Sequence, residues 1–150
     1  MVKSATLSVA QAIVAAVKDP ELPSITIEEL GILRDVRMDG DTVVVSITPT
    51  YSGCPAMDVI TEDIVAALRS HFFESRVETV LSPAWTTDWL SPSAREKLRQ
   101  EGVAAPGQSM CPVCDSENVR TVSEFGSVAC QALHACISCG EPFSYFKPLR

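Results

Sequence analysis

Two Cys-x-x-Cys pairs near the C-terminus constrain this chain more than any other feature. Cys111-Pro112-Val113-Cys114 and Cys136-Ile137-Ser138-Cys139 enclose 21 residues, slightly more than the about 15–20 usual for paired metal knuckles. Each such turn lets two sulfurs face one centre. Two turns brought together by a hairpin offer Cys111, Cys114, Cys136 and Cys139 as four soft thiolates to one tetrahedral metal, zinc by default and iron or an iron-sulfur cluster as the other option. The segment from Cys111 onward has too few large side chains for a core of its own, so metal binding would have to supply much of its folding free energy. Val119 and Phe125 on one run, and Phe143 and Tyr145 on another, alternate as the strands of a zinc ribbon would. Cys130 and His134 lie between the pairs as possible auxiliary ligands. The simpler expectation is a solvated loop histidine and a small buried cysteine. A closed four-ligand site is ordinarily a structural staple.

A length of 150 residues allows one ordinary domain with a small stapled module behind it. We expect a domain over 1–101, a linker over 102–109 marked by Pro106-Gly107, and the ribbon over 110–150. The net charge of −7, with nine Lys/Arg against fifteen Asp/Glu in residues 1–101 and three against four in 102–150, leaves neither part basic. That argues against a grip on nucleic acid phosphates. No apolar run is long enough to cross a bilayer, and Gln11 interrupts the apolar stretch near the N-terminus, so neither a membrane span nor a secretion signal is expected. Two Cys-x-x-Cys pairs suit metal better than disulfides, which points to a reducing cytoplasm.

Ala10, Ile13, Val14 and Val17 recur at helical spacing, predicting a helix over Ser8 to Lys18 with Ser8 as its cap. Asp19-Pro20 ends it, and Glu21 to Leu30 reads as acidic and irregular. Ile32 to Met38 and Thr42 to Thr48 are strand-like runs around Asp39-Gly40-Asp41, a hairpin signal. A second helix follows Pro55, with Met57, Ile60, Ile64, Ala67 and Leu68 on one face. Val77 to Leu81 is a third strand, and Ser91-Pro92 starts a third helix running to about Gln100. The order describes an α+β chain, a small layer of helices on a sheet followed by the ribbon.

Cys54 stands directly before the second helix, where unpaired amides and the helix dipole stabilise a thiolate. The bland alternative is a turn cysteine. Asp19 and Glu21 would add carboxylates if their segment folds beside it, making a transient iron site. His71 is expected to be a satisfied, half-buried histidine. No histidine or oxyanion motif in sequence completes a nucleophile-and-base pair with Cys54, so an enzyme using Cys54 as a nucleophile is the weakest reading.

Asp19-Pro20-Glu21-Leu22, Leu30-Gly31-Ile32 and Thr48-Pro49-Thr50 leading into Gly53-Cys54-Pro55 resemble the signature of the small MIP18-like, or SufT-like, iron-sulfur assembly family over about residues 8–81. Trp85 to Ser91, the four-cysteine ribbon and the ending Glu141 to Lys147 resemble the D-protein family of bacterial phenylacetyl-CoA epoxidase systems over nearly the whole chain. That resemblance implies a non-catalytic accessory factor in aerobic phenylacetate degradation. It would help mature the iron-sulfur or iron centres of a multicomponent monooxygenase, with the epoxidase subunits, especially the iron-sulfur reductase, and the cluster-assembly machinery as partners and a homodimer left open. It also implies that Cys54 is the reactive cysteine, with Asp19 and Glu21 near it. The alternative is a zinc-stapled adaptor of the epoxidase complex without metal transfer.

Overall fold

The computed structural model describes residues 2–51, 54–107, 110–126 and 130–148, with the side chains of residues 2–5 left aside. The chain forms two compact units, residues 1–85 and 86–150.

The first unit opens with helix α1, Val2–Ala15. It starts upstream of the expected Ser8 cap, so Ser8 is an interior residue. It also stops before Lys18, because the chain there turns to pairing: Lys18 bridges Thr26, and Val17 O accepts from Ile27 N at 2.9 Å. Ala10 and Val14 of α1 are fully buried. The stretch read as irregular contains a four-residue helix, α2, Ile27–Leu30. Thr26 and Glu29 form a capping box that satisfies amides at its start. Gly31 closes it at φ 79°, in the left-handed region glycine enters without penalty.

Strands β1, Leu33–Asp39, and β2, Thr42–Ile47, form the expected antiparallel hairpin, with Val36 opposite Val45. Gly40 supplies the positive φ of 62° that so tight a turn needs. Helix α3, Ala56–Arg69, then returns the chain to β3, Glu74–Thr79, which runs parallel to β2 with Val77 opposite Val45. The sheet order is therefore β1-β2-β3. As the central strand, β2 buries every residue from Val43 to Ile47, not just one face. Ala56, Ile60, Ile64 and Leu68 form the buried stripe of α3. Trp85 closes this core, its indole nitrogen donating to Leu30 O at 2.9 Å.

In the second unit a single 3-10 turn, Thr87–Trp89, precedes helix α4, Pro92–Gln100. The Ser91 hydroxyl accepts from Ala94 N at 3.0 Å, so the expected cap is present. Strand β4, Val103–Ala104, lies in the stretch expected as linker and pairs parallel with β7, Pro142–Phe146. With β5, Val119–Ser123, and β6, Gln131–Cys136, these make a second sheet in the order β4-β7-β6-β5. Arg95 ties α4 down by donating to the carbonyls of Thr87 and Pro106.

Candidate metal centre

The two Cys-x-x-Cys turns fold as near copies of each other. Cys111 N donates to Ser116 O, and Cys136 N to Glu141 O, each at 2.9 Å. Cys111 O accepts from Asp115 N, and Cys136 O from Gly140 N, again at 2.9 Å. Val113 N and Cys139 N each approach the first sulfur of their own turn at 3.4 Å, as donors to Cys111 Sγ and Cys136 Sγ. The residue after each second cysteine sits in the left-handed region, Asp115 at φ 61° and Gly140 at φ 80°. Gly140 adopts this freely, and aspartate is among the few other residues that tolerate it. Arg99 of α4 bonds the Asp115 carboxylate at 2.8 Å and so braces the first turn.

The four Sγ atoms lie within 4.8 Å of one another. Cys111 Sγ is 3.7 Å from Cys139 Sγ, and Cys114 Sγ is 3.5 Å from Cys136 Sγ. A tetrahedral ion at about 2.3 Å from each sulfur requires edges of about 3.8 Å, whereas a disulfide would need about 2.05 Å. The spacing fits four thiolates around one ion. Cys111 and Cys136 are buried, while Cys114 and Cys139 face outward. The Cys139 amide at its sulfur holds the Cys136 thiol down at about 6. Although the Ser116 amide favours the thiolate of Cys114, the neighbouring sulfurs and burial outweigh it and push that thiol up to about 12. A metal-free cluster therefore keeps part of its protons, and an ion would complete its deprotonation.

His134 is neither in a loop nor solvated. It lies on β6, buried, opposite Thr121 and Phe143, because the chain between the cysteine pairs forms strand β5 and most of β6. Its ring stacks on Tyr145 at 4.5 Å, its Nε2 lies 3.4 Å from the Thr121 hydroxyl, and burial lowers its pKa. Cys130 is buried as expected. Neither joins the four sulfurs. Phe125 lies beyond β5 and is exposed, with Lys147 Nζ 4.4 Å above its ring.

In the first unit Cys54 is half-buried at the head of α3. Its amide donates to Tyr51 O at 3.3 Å, its carbonyl accepts from Met57 N, and the N-cap residue Pro55 makes no side-chain cap bond. Ser52 and Gly53 of the expected motif lie outside the described residues. Asp19 is buried and accepts from the amides of Glu21 and Leu22 at 2.8 and 2.9 Å, closing its own turn. Burial nevertheless raises its pKa, and burial together with the charge of Asp19 raises that of Glu21. Among the described residues, the four cysteines are the one group of three or more potential ligands whose donor atoms converge, so Cys54, Asp19 and Glu21 form no preassembled set. His71 is exposed rather than half-buried, with Nδ1 3.1 Å from Ala67 O.

A helix-on-sheet domain of this kind followed by a four-cysteine ribbon defines a class by its parts, a small α+β domain extended by a metal-binding module. Residues 9–82 match the iron-sulfur cluster assembly protein family, and residues 95–147 match the PaaD zinc beta ribbon domain. The chain is 44% identical to the Escherichia coli (strain K12) protein assigned as the D component of 1,2-phenylacetyl-CoA epoxidase, over 91% of this chain and 89% of that one. It therefore belongs to the PaaD family. The iron-sulfur protein maturation auxiliary factor YitW of Bacillus subtilis (strain 168) is 35% identical over 55% of this chain and 82% of its own length. A solved domain of unknown function from Bacillus anthracis, 31% identical, superposes with a TM-score of 0.59 over 65% of this chain and 95% of that one. Among the described residues no helix is long and apolar enough to cross a membrane.

Proposed function

We propose that this protein is an accessory factor of a phenylacetyl-CoA epoxidase system in aerobic phenylacetate degradation, assisting the maturation of iron-sulfur or iron centres in the multicomponent monooxygenase and its reductase. The observation that carries the reading is the joining of two parts in one chain. A domain similar to iron-sulfur maturation factors is followed by a ribbon, and the whole is similar to a component of the epoxidase.

In this reading Cys111, Cys114, Cys136 and Cys139 hold a resident zinc, whose chemistry is structural: it closes the two turns and stiffens the ribbon as a docking surface for a client. Cys54 is the sulfur that handles cargo. It stands directly before α3, at a helix start where the N-cap residue Pro55 makes no side-chain cap bond. Thiolates bind iron firmly yet exchange when another thiolate arrives, which suits transfer rather than storage. Asp19 or Glu21 would supply an oxygen ligand or take up a proton. Burial already biases both carboxyls toward holding a proton. The factor itself performs no epoxidation. Four of its six cysteines serve as metal thiolates in this reading, which suits a reducing cytoplasm.

One observation favours a second reading, a zinc-stapled adaptor without metal transfer: the three cargo residues are not preassembled. Reductase and oxygenase purified from cells with and without this chain separate the two. Under the maturation reading both components assemble but lack iron when the chain is missing. Full iron content together with a complex that falls apart would support the adaptor.

A further inference from the structure

The first unit carries a strand edge whose chemistry matches itself. Strand β3 pairs with β2 on one side and, among the described residues, with no strand on the other. An edge of this kind is a template for another strand unless it is blocked, and no proline interrupts Glu74–Thr79. Its ends carry the two most exposed large apolar side chains among the described residues of this unit, Phe72 at 98% and Leu81 at 64%. Phe72 is also held at φ 65°, a left-handed conformation unfavourable for a bulky residue. The fold thus maintains an aromatic ring in solvent on an unfavourable backbone beside an open edge.

We propose that this edge is the interface of a homodimer, in which β3 pairs antiparallel with β3 of a second copy about a twofold axis at Val77. This goes beyond the proposed function and does not depend on it. A twofold axis normal to the sheet makes the pairing antiparallel and places residue 77+n opposite residue 77−n. Facing residues in an antiparallel pair share one face of the sheet, so the axis must fall on a residue. Centred on Val77, Arg76 faces Glu78 of the other copy twice, and Ser75 faces Thr79 twice. Phe73 meets Leu81 at both ends, with Phe72 beside it. Moving the axis to Arg76 would set arginine against arginine and Glu74 against Glu78. Moving it to Ser75 would set Phe72 against Glu78 and leave Leu81 uncovered. One register therefore satisfies both the charges and the apolar ends. Arg76 and Glu78 are half-exposed and already in contact at 3.4 Å, within a cluster that includes Arg37 and Asp39. Pairing would extend that cluster across the axis.

Sedimentation of the metal-loaded full chain from micromolar to millimolar concentration tests this, using Arg76→Glu and Glu78→Arg separately and mixed. The wild type is expected to move from the mass of one chain to twice that mass. Each single variant sets like charges opposite each other and should stay at one chain. The equimolar mixture sets glutamate against arginine at both positions and should recover the doubled mass, which also shows that both variants are folded. A wild type that remains one chain throughout would overturn the proposal, as would single variants that dimerise like it or a mixture that fails to recover.

Discussion

Stripping the metal from the ribbon should unfold the second unit and leave the first folded. The apolar side chains packed around the ligands are few: Ala104 and Phe143 buried, with Val119 and Tyr145 partly so. A large side chain contributes about 1.5–3 kcal/mol when fully buried, whereas a structural zinc site in a small module contributes about 10–16 kcal/mol near neutral pH. Net domain stability is only about 5–15 kcal/mol, so loss of the ion removes as much as the unit has. The ligands also sit at hydrogen-bonded positions that the sheet uses, since Cys136 ends β6 opposite Val119 and bonds Glu141. Hydrogen exchange read by mass spectrometry, before and after chelation under reducing conditions, checks this. Amides of Gln131–Cys136 should pass from protected to freely exchanging, while those of Thr42–Ile47 keep their protection. If metal analysis shows the ion gone and β6 stays protected, the ribbon has a self-sufficient core and the reasoning is wrong.

Trp85→Phe leaves Leu30 O without its buried donor and opens a small void, so denaturant unfolding of the first unit should show a loss of about 2–3 kcal/mol. Asp19 has its folded pKa raised, so between the unfolded and folded values the native state binds more protons and stability falls as pH rises through the folded value. Unfolding midpoints of Asp19→Asn should lack the Asp19 share of that fall, leaving the part of the Glu21 shift that burial alone causes; a slope identical to wild type would show that burial does not govern Asp19.

The parts of this fold that are legible in the sequence are those whose signal is local. The β1-β2 hairpin announces itself by Asp39-Gly40-Asp41, and α4 by Ser91-Pro92. Four convergent sulfurs follow from spacing alone, because a Cys-x-x-Cys turn has few ways to fold around an ion. Strand β6 is not visible, and the reason is physical: it is buried on both faces except at Leu133, so the alternation that marks a strand is absent. Local pattern puts His134 in a loop for that reason. Helix α2 escapes notice although Thr26-Ile27-Glu28-Glu29 carries a capping-box pattern, since four residues are too short to show a period. The brace from Arg99 to Asp115 joins residues 16 positions apart through tertiary structure, and no local pattern encodes it. Likewise, the placement of Asp19, Glu21 and Cys54 in one motif order says nothing about whether their donor atoms meet.

Cys54, not the ribbon sulfurs, is the group proposed to handle the iron cargo. The most direct test is the rate at which apo reductase regains its iron-sulfur cluster under anaerobic conditions, followed by visible absorption, with wild-type protein or Cys54→Ser carrying the same ribbon metal content. The wild type should accelerate cluster acquisition, and Cys54→Ser should lower the rate to that of reductase alone. Equal acceleration by both proteins would contradict the assignment of cargo to Cys54.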